Sequence, residues 1–492
     1  MIMVFNSYSF LIFFPIVVLV NFLIPKKAQY IWLLAASYYF YMNWDARYVL
    51  LLLFSTTVTY LCGLAIERTE VPKTKKIALA AGFILNIGVL FFFKYFDFTI
   101  ETINLLLSGT GFSIPNPDFN ILLPVGISFY IFQALSYIMD VYRKEIGAEK
   151  NFLKYALFVS FFPQLVAGPI ERSKNLIRQV NETHQFDFEK MRDGLLIMSW
   201  GYFLKLVIAD RVAIIVDTVY GSYSEYGGVY LIVASVLFAV QIYCDFAGYS
   251  TIAIGAAKIL GFQLMENFNC PYFSRSIAEF WRRWHISLSS WFRDYLYIPL
   301  GGNRKGTVRK YVNIMIVFLV SGLWHGAAGT YVVWGFIHGL YQVIGAMTRP
   351  IRDKLNELFD MKPESMGHQL MSGLVTFALV DFAWIFFRAE SFGAAVEIIK
   401  SMVHIGNISI LWNGALYELG VSARGFQVML LSIIVLLIAD FMKYKGIQVR
   451  KLILEQELWC RWICYIVIVM FIMIFGIWGG SYDASSFIYF QF

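Results

Sequence analysis

Residues 269–306 read NCPYFSRSIAEFWRRWHISLSSWFRDYLYIPLGGNRKG, and after a short apolar run residues 321–327 read SGLWHGA. Arginines, aromatics and two histidines, His285 and His325, gather here within a strongly apolar chain. Polar side chains are costly inside a bilayer and tend to mark function there. The histidines flank a hydrophobic segment, an arrangement that suits reactants arriving from opposite membrane faces. At about 100° per residue, Phe280–Leu300 reads as an amphipathic interfacial helix. Trp281, Trp284, Leu288, Trp291 and Tyr295 form its apolar stripe. Arg282, His285, Ser289 and Arg293 form the polar one. Such a helix fits either a surface anchor or a binding face, and His285, at the seam of the two stripes, is expected to point inward rather than to water. Counting from the basic cluster at 1.5 Å per residue puts His325 about 20 Å away, past mid-membrane. A histidine there serves equally as a packed hydrogen-bonding residue or as a general base.

Outward from this stretch, the composition bounds the class. Of 492 residues, 59% are hydrophobic and 15% charged, against about one quarter charged in soluble domains. Many apolar runs approach the roughly 20 residues a spanning helix needs. The chain is expected to be an all-α polytopic membrane protein, with roughly 11–13 transmembrane or re-entrant helices. Disordered and nucleic-acid-binding classes are excluded. Between Pro271 and Lys310, eight Arg or Lys stand against Glu279 and Asp294, a net of +6. That excess fits a cytoplasmic topology signal, a docking surface for an anionic donor, or both, with Arg282, Arg283, Arg293 and Ser289 as donor-binding candidates.

The opening segment Ser9–Ile24 lacks a basic start and a cleavage site, so it reads as a first span. Pro25-Lys26-Lys27 follows it and places the N-terminus outside. The charged loops ERTEVPKTKK and RKEIGAEK then fall inside, and the turn-rich SGTGFSIPNPDFN falls outside. FFPQLVAGPIERSKNLIRQV carries two prolines and a glycine, and irregular backbone at such a place is tolerated where protein or a cavity surrounds it. Asp245 closes an apolar run in QIYCDFAGYS. The basic loop Lys443–Arg461 is expected inside, so the C-terminal tail emerges outside. One membrane domain is expected over residues 1–492. It divides into N-terminal helices (1–150), a core carrying both histidines (151–347), and C-terminal helices with the tail (348–492).

Other chemistries lack their signatures. The chain has no GxSxG elbow, no phosphate loop and no HExxH motif. The five cysteines form no CxxC pair and read as reduced core residues. His338 reads as a core residue, and His184, His368 and His404 carry no assigned role. No metal is expected, and a histidine mechanism remains.

Five pieces together resemble the bacterial membrane-bound O-acyltransferases (MBOAT), in the branch of alginate and cell-wall polysaccharide O-acetylation and teichoic-acid D-alanylation. They are FFPQLVAGPIER (Phe161–Arg172), YCDFAGYS (Tyr243–Ser250), the stretch Asn267–Arg304, SGLWHG (Ser321–Gly326) and the terminal FIYFQF (Phe487–Phe492). Thr251 stands where many relatives carry an acidic residue. The resemblance implies a funnel of helices with a central tunnel, His325 as the active histidine and His285 as the second. It also implies an acyl thioester from the cytosol, with acetyl-CoA as the expected donor and no bound cofactor. The acyl group would pass outward to a polysaccharide with help from an extracytoplasmic SGNH-type esterase-like protein, in the bacterial cell membrane. Tyr489, in the aromatic tail, is a candidate acyl relay, and the same tail also fits an apolar plug. D-alanyl transfer to teichoic acid and a non-enzymatic conduit for an anion or lipid are the alternatives. Paired histidine motifs speak against the conduit, which would more often show internal repeats.

Overall fold

The computed structural model describes residues 3–117 and 123–478. The described chain is helical, with no strand among the described residues. Seven of its helices are long and apolar enough to cross a membrane, running from Ala46–Arg68 to Leu458–Phe475, and the apolar Tyr8–Leu23 is shorter. Leu458–Phe475 shows why such a chain needs a bilayer. Ile466, Val467, Met470 and Met473 are all exposed along it, an apolar surface that water would penalise. Other helices are short and packed inside, among them Ile127–Tyr142, almost wholly buried. The expected turn-rich connection follows directly on the helical run Pro72–Leu107. The apolar run before Asp245 goes further than its composition suggests. It lies within one helix, Gly228–Ile259, so Asp245 is a mid-helix residue.

The described residues group into two compact units. The first holds the chain to Met198 together with Ser250–Met265. In it, Val49–Arg68 packs on Ile127–Tyr142 and Pro72–Leu90. Gly63 permits that approach, because a Cβ there would meet the Tyr137 ring at 2.7 Å. The irregular stretch Phe161–Ser173 is buried throughout, as its prolines and glycine suggested. Its buried Glu171 carboxylate accepts hydrogen bonds from Asn175 Nδ2 at 2.8 Å and from the Met265 and Arg172 backbone N–H groups.

The second unit holds Ser199–Tyr249 and the chain from Glu266. Its densest pairing is the hairpin of Thr307–His325 with Gly329–Met347. Two glycines set that spacing. A Cβ on Gly322 would overlap the Tyr331 carbonyl oxygen, and one on Gly335 would overlap that of Phe318. Gly322, in SGLWHG, and Gly335 on the facing helix therefore let the two backbones come together, next to His325 at the end of its helix.

Candidate active site

His285 and His325 are built by different devices. The expected continuous amphipathic helix from Phe280 to Leu300 is broken. Ile277–Arg283 ends, and Ile286–Phe292 begins after His285, which takes the left-handed conformation at φ 43°, ψ 54°. A non-glycine residue there costs energy and persists where the surroundings fix it. Here the fixing group is Asn267. Its carbonyl accepts the Ile286 N–H at 2.9 Å, while its side-chain Oδ1 accepts the Ser287 N–H at 3.2 Å and the Ser287 hydroxyl at 2.8 Å. The break corrects the continuous helix, while the inward direction of His285 is as expected. His285 turns inward at the break and is fully buried, while Arg282 and Arg293 on the flanking helices are exposed.

Asn267 also fixes the chemistry of His285. A backbone N–H only donates, so the Asn267 atom facing Ser287 N must be the oxygen. The same oxygen lies 3.1 Å from His285 Nδ1, so Nδ1 carries the proton and Nε2 carries the lone pair. Burial pushes the imidazole down to about 3, which keeps it neutral at physiological pH.

The expectation that the two histidines stand apart across a hydrophobic segment is corrected too. Their ring centroids are 6.4 Å apart. Residues 286–306 lead away from the site and Thr307–His325 leads back, so both rings share one box. His325 is 3% exposed and edge-packs on Trp324 and Trp334, each at 5.0 Å, and on Phe387 at 5.5 Å. Phe246 meets His285 edge-on at 4.6 Å. Behind Trp334, His338 accepts the Trp281 indole N–H at 3.3 Å, a hydrogen-bonded core residue as expected. Two imidazoles share one aromatic enclosure, that of His285 kept neutral by burial, and their ring nitrogens can accept and return a proton.

The arginine candidates lie at the rim of this arrangement. Arg283 pairs with Glu279 at 3.0 Å and covers the Tyr444 ring at 5.0 Å. Arg293 pairs with Asp294 at 2.8 Å. The Ser289 hydroxyl donates to the Trp284 carbonyl at 3.3 Å. Tyr489 lies outside the described residues. Among the described residues, no group of three or more His, Cys, Asp or Glu could hold a metal ion.

Two features went unread in the sequence. Asn267 is one, because a side-chain amide carries no spacing signature. The other is a buried ion cluster. Lys205 Nζ lies 2.7 Å from Asp210 and 2.5 Å from Asp245. Lys205 belongs to a π-helical turn, Phe203–Ala209, against which Gly248 packs at a distance only glycine allows. Lys205 inside an apolar run with Asp210 five residues on is a signal that could have been followed, whereas the pairing with Asp245 is not local.

A profile of the MBOAT, membrane-bound O-acyltransferase family, matches residues 142–372, which include both histidines. The chain is 39% identical over 414 residues to the probable alginate O-acetylase AlgI of Pseudomonas putida, covering 82% of this chain and 81% of that one. It is 35% identical over 416 residues to the peptidoglycan O-acetyltransferase of Helicobacter pylori, covering 79% and 76%. The teichoic acid D-alanyltransferase of Bacillus subtilis shares 26% over 288 residues, covering 56% and 71%. With its apolar helices and paired histidines, the chain belongs to the membrane-bound O-acyltransferase family and is a multi-pass membrane O-acyltransferase.

Proposed function

We propose that the protein takes an acetyl group from acetyl-CoA on the cytosolic side and delivers it outward for O-acetylation of an envelope polysaccharide. The observation that carries this reading is the 6.4 Å approach of the two buried imidazoles. The choice of acetyl over D-alanyl follows the relatives, since the two acetylating ones share more identity over more of the chain than the D-alanyltransferase. The conduit alternative gives way to family membership. Positive loops face the cytoplasm in this reading, and both termini lie outside.

In the reaction, an acceptor hydroxyl attacks the thioester carbonyl carbon. His325 takes the hydroxyl proton, the C–O bond forms and the C–S bond breaks. The proton passes to the leaving sulfur, which departs as the free thiol. The acyl end of the donor enters past His285, whose ring centroid lies 6.4 Å from that of His325. Arg282, Arg283 and Arg293 attract the donor's phosphates. The first acceptor is the Tyr489 phenol, and its ester passes the acetyl group to an extracytoplasmic SGNH-type partner.

The test uses the full chain in proteoliposomes with labelled acetyl-CoA inside and the acceptor system outside. Wild type should transfer label, and His325→Ala, correctly folded, should not. Undiminished transfer by that variant overturns the histidine mechanism. Tyr489→Phe keeps the ring and removes the hydroxyl. Transfer at wild-type rate, with no acetylated C-terminal peptide by mass spectrometry, removes Tyr489 from the route.

A further inference from the structure

A second polar site lies in the first unit, away from the histidines in sequence. Directly after the apolar helix Tyr8–Leu23, the turn Lys26–Ala28 leads into Gln29–Met42. Here a cleft of about 330 Å³ is lined by Lys26, Lys27, Lys154, Tyr30, Asn181 and His184, among others. That volume falls in the range of small-molecule sites, about 300–1,000 Å³.

The walls of the cleft are pinned. The buried Gln29 side chain donates to the Asn21 carbonyl at 3.0 Å and the His184 carbonyl at 2.9 Å, and it accepts the His184 N–H at 3.3 Å. His184 Nε2 lies 2.8 Å from the Gln179 carbonyl, and its ring lies 4.1 Å from that of Phe262. Gly261, at φ 95°, makes room for it. Lys154 Nζ donates to Asn181 Oδ1 at 2.7 Å and lies over the Tyr30 ring at 5.4 Å. Both partners are neutral, and an ammonium has two further N–H donors to give. Lys26 and Lys27 are exposed and make no ion pair among the described residues. The lining carboxylate, Glu182, is answered by Arg178 at 3.7 Å.

Three lysines and Tyr30 thus line one cleft directly after the apolar helix Tyr8–Leu23. We propose that this cleft binds a phosphate-bearing ligand, supplied either by an anionic phospholipid headgroup or by a soluble phosphate compound. Basic residues near a membrane surface each strengthen anionic lipid binding, and three together should change retention by about tenfold or more.

The experiment compares wild type with Lys26→Gln/Lys27→Gln/Lys154→Gln in the full-length chain. Native mass spectrometry after exchange into mixed phosphatidylglycerol and phosphatidylcholine measures lipid retention, and equilibrium dialysis in detergent measures labelled inorganic phosphate. Selective retention of phosphatidylglycerol that the variant loses about tenfold supports the site with a lipid ligand. Saturable phosphate binding that the variant loses, with no lipid selectivity, supports it with a soluble one. The double variant Lys26→Gln/Lys27→Gln, at two exposed positions, serves if the triple variant does not fold. Neither ligand binding, or binding that survives the substitutions, overturns the site. So does an equal loss in Lys73→Gln/Lys75→Gln/Lys76→Gln, which removes the same charge elsewhere.

Discussion

The second unit buries polar groups in two opposite ways. Around His285 and His325 the surroundings are aromatic, and the enclosed imidazoles are held close together by Trp324, Trp334, Phe387 and Phe246. At Lys205, by contrast, an ammonium lies between the carboxylates of Asp210 and Asp245. Asp245 and Phe246 are consecutive residues, so one turn of a single helix serves both places. In the proposed mechanism the difference separates a site that reacts from one that holds the fold together. The imidazole of His325, a base in the proposed mechanism, is set among Trp324, Trp334 and Phe387, and Trp334 and Phe387 still pack on each other without it. A buried ion cluster fails as soon as one charge loses its partners.

The strongest break between the two is His325→Ala. Loss of a general base lowers the rate by about 10²–10⁴-fold, and the thermal midpoint should move little because the aromatic walls remain. Rate and midpoint measured on the same preparation check both halves. Wild-type turnover would dissolve the contrast. Lys205→Ala should do the reverse and act first on stability, by about 3–5 kcal/mol, since two carboxylates are left buried without their cation. Lys205→Met combined with Asp210→Asn and Asp245→Asn removes the charges together and should recover most of that loss. If Lys205→Ala instead leaves the midpoint intact and abolishes transfer, the cluster belongs with the chemistry.

Asn267 links the two kinds of burial, because its amide oxygen holds both the backbone turn and the ring of His285. Asn267→Ala should lower kcat about tenfold with a smaller change in KM, as expected for a residue that positions another. Asn267→Asp keeps an oxygen acceptor opposite Nδ1–H and should restore most of the rate. Equal damage from both variants would make Asn267 merely structural. The depressed His285 pKa adds a pH signature. The folded state resists protonation where the unfolded chain accepts it. This contribution to stability is therefore complete above about pH 6.5. It is lost as pH falls toward the folded value of about 3. His285→Gln should flatten that acid limb in a thermal-stability titration.

The sequence disclosed most where composition and spacing act locally. Apolar runs marked the spans, the prolines of Phe161–Arg172 marked irregular buried backbone, and the glycine-flanked SGLWHG marked a residue held at a close helix pairing. It disclosed least where one residue overrides periodicity. Helical spacing carried the Trp281–Tyr295 stripe straight through His285, whereas the chain turns there in the left-handed region. The inward direction of His285 was legible at the seam of the stripes, but the turn that carries it fully into the core was not. Linear distance along Thr307–His325 likewise says nothing of residues 286–306, whose excursion brings the two rings together. The Lys205 cluster depends on a pairing 40 positions apart, which no local pattern encodes.

The smallest expected effect falls on the exposed charges. Arg282 and Arg293 flank the buried histidine yet face outward, so they test whether the basic stretch serves the reaction or only orientation in the membrane. Arg293 already pairs with Asp294, and an exposed pair of this kind contributes about 0–1 kcal/mol. Reversing either charge should therefore leave stability nearly unchanged. If these guanidinium groups draw in the phosphates of the donor, Arg282→Glu or Arg293→Glu should raise the KM for acetyl-CoA a few-fold to about tenfold while kcat stays near wild type, because such contacts act before the transition state. The increase should shrink with added salt, since exposed charges are screened over about 8–10 Å at ordinary ionic strength. An unchanged KM with less protein in the membrane assigns the cluster to topology, and it leaves His285 and His325 as the residues of the stretch proposed to meet substrate.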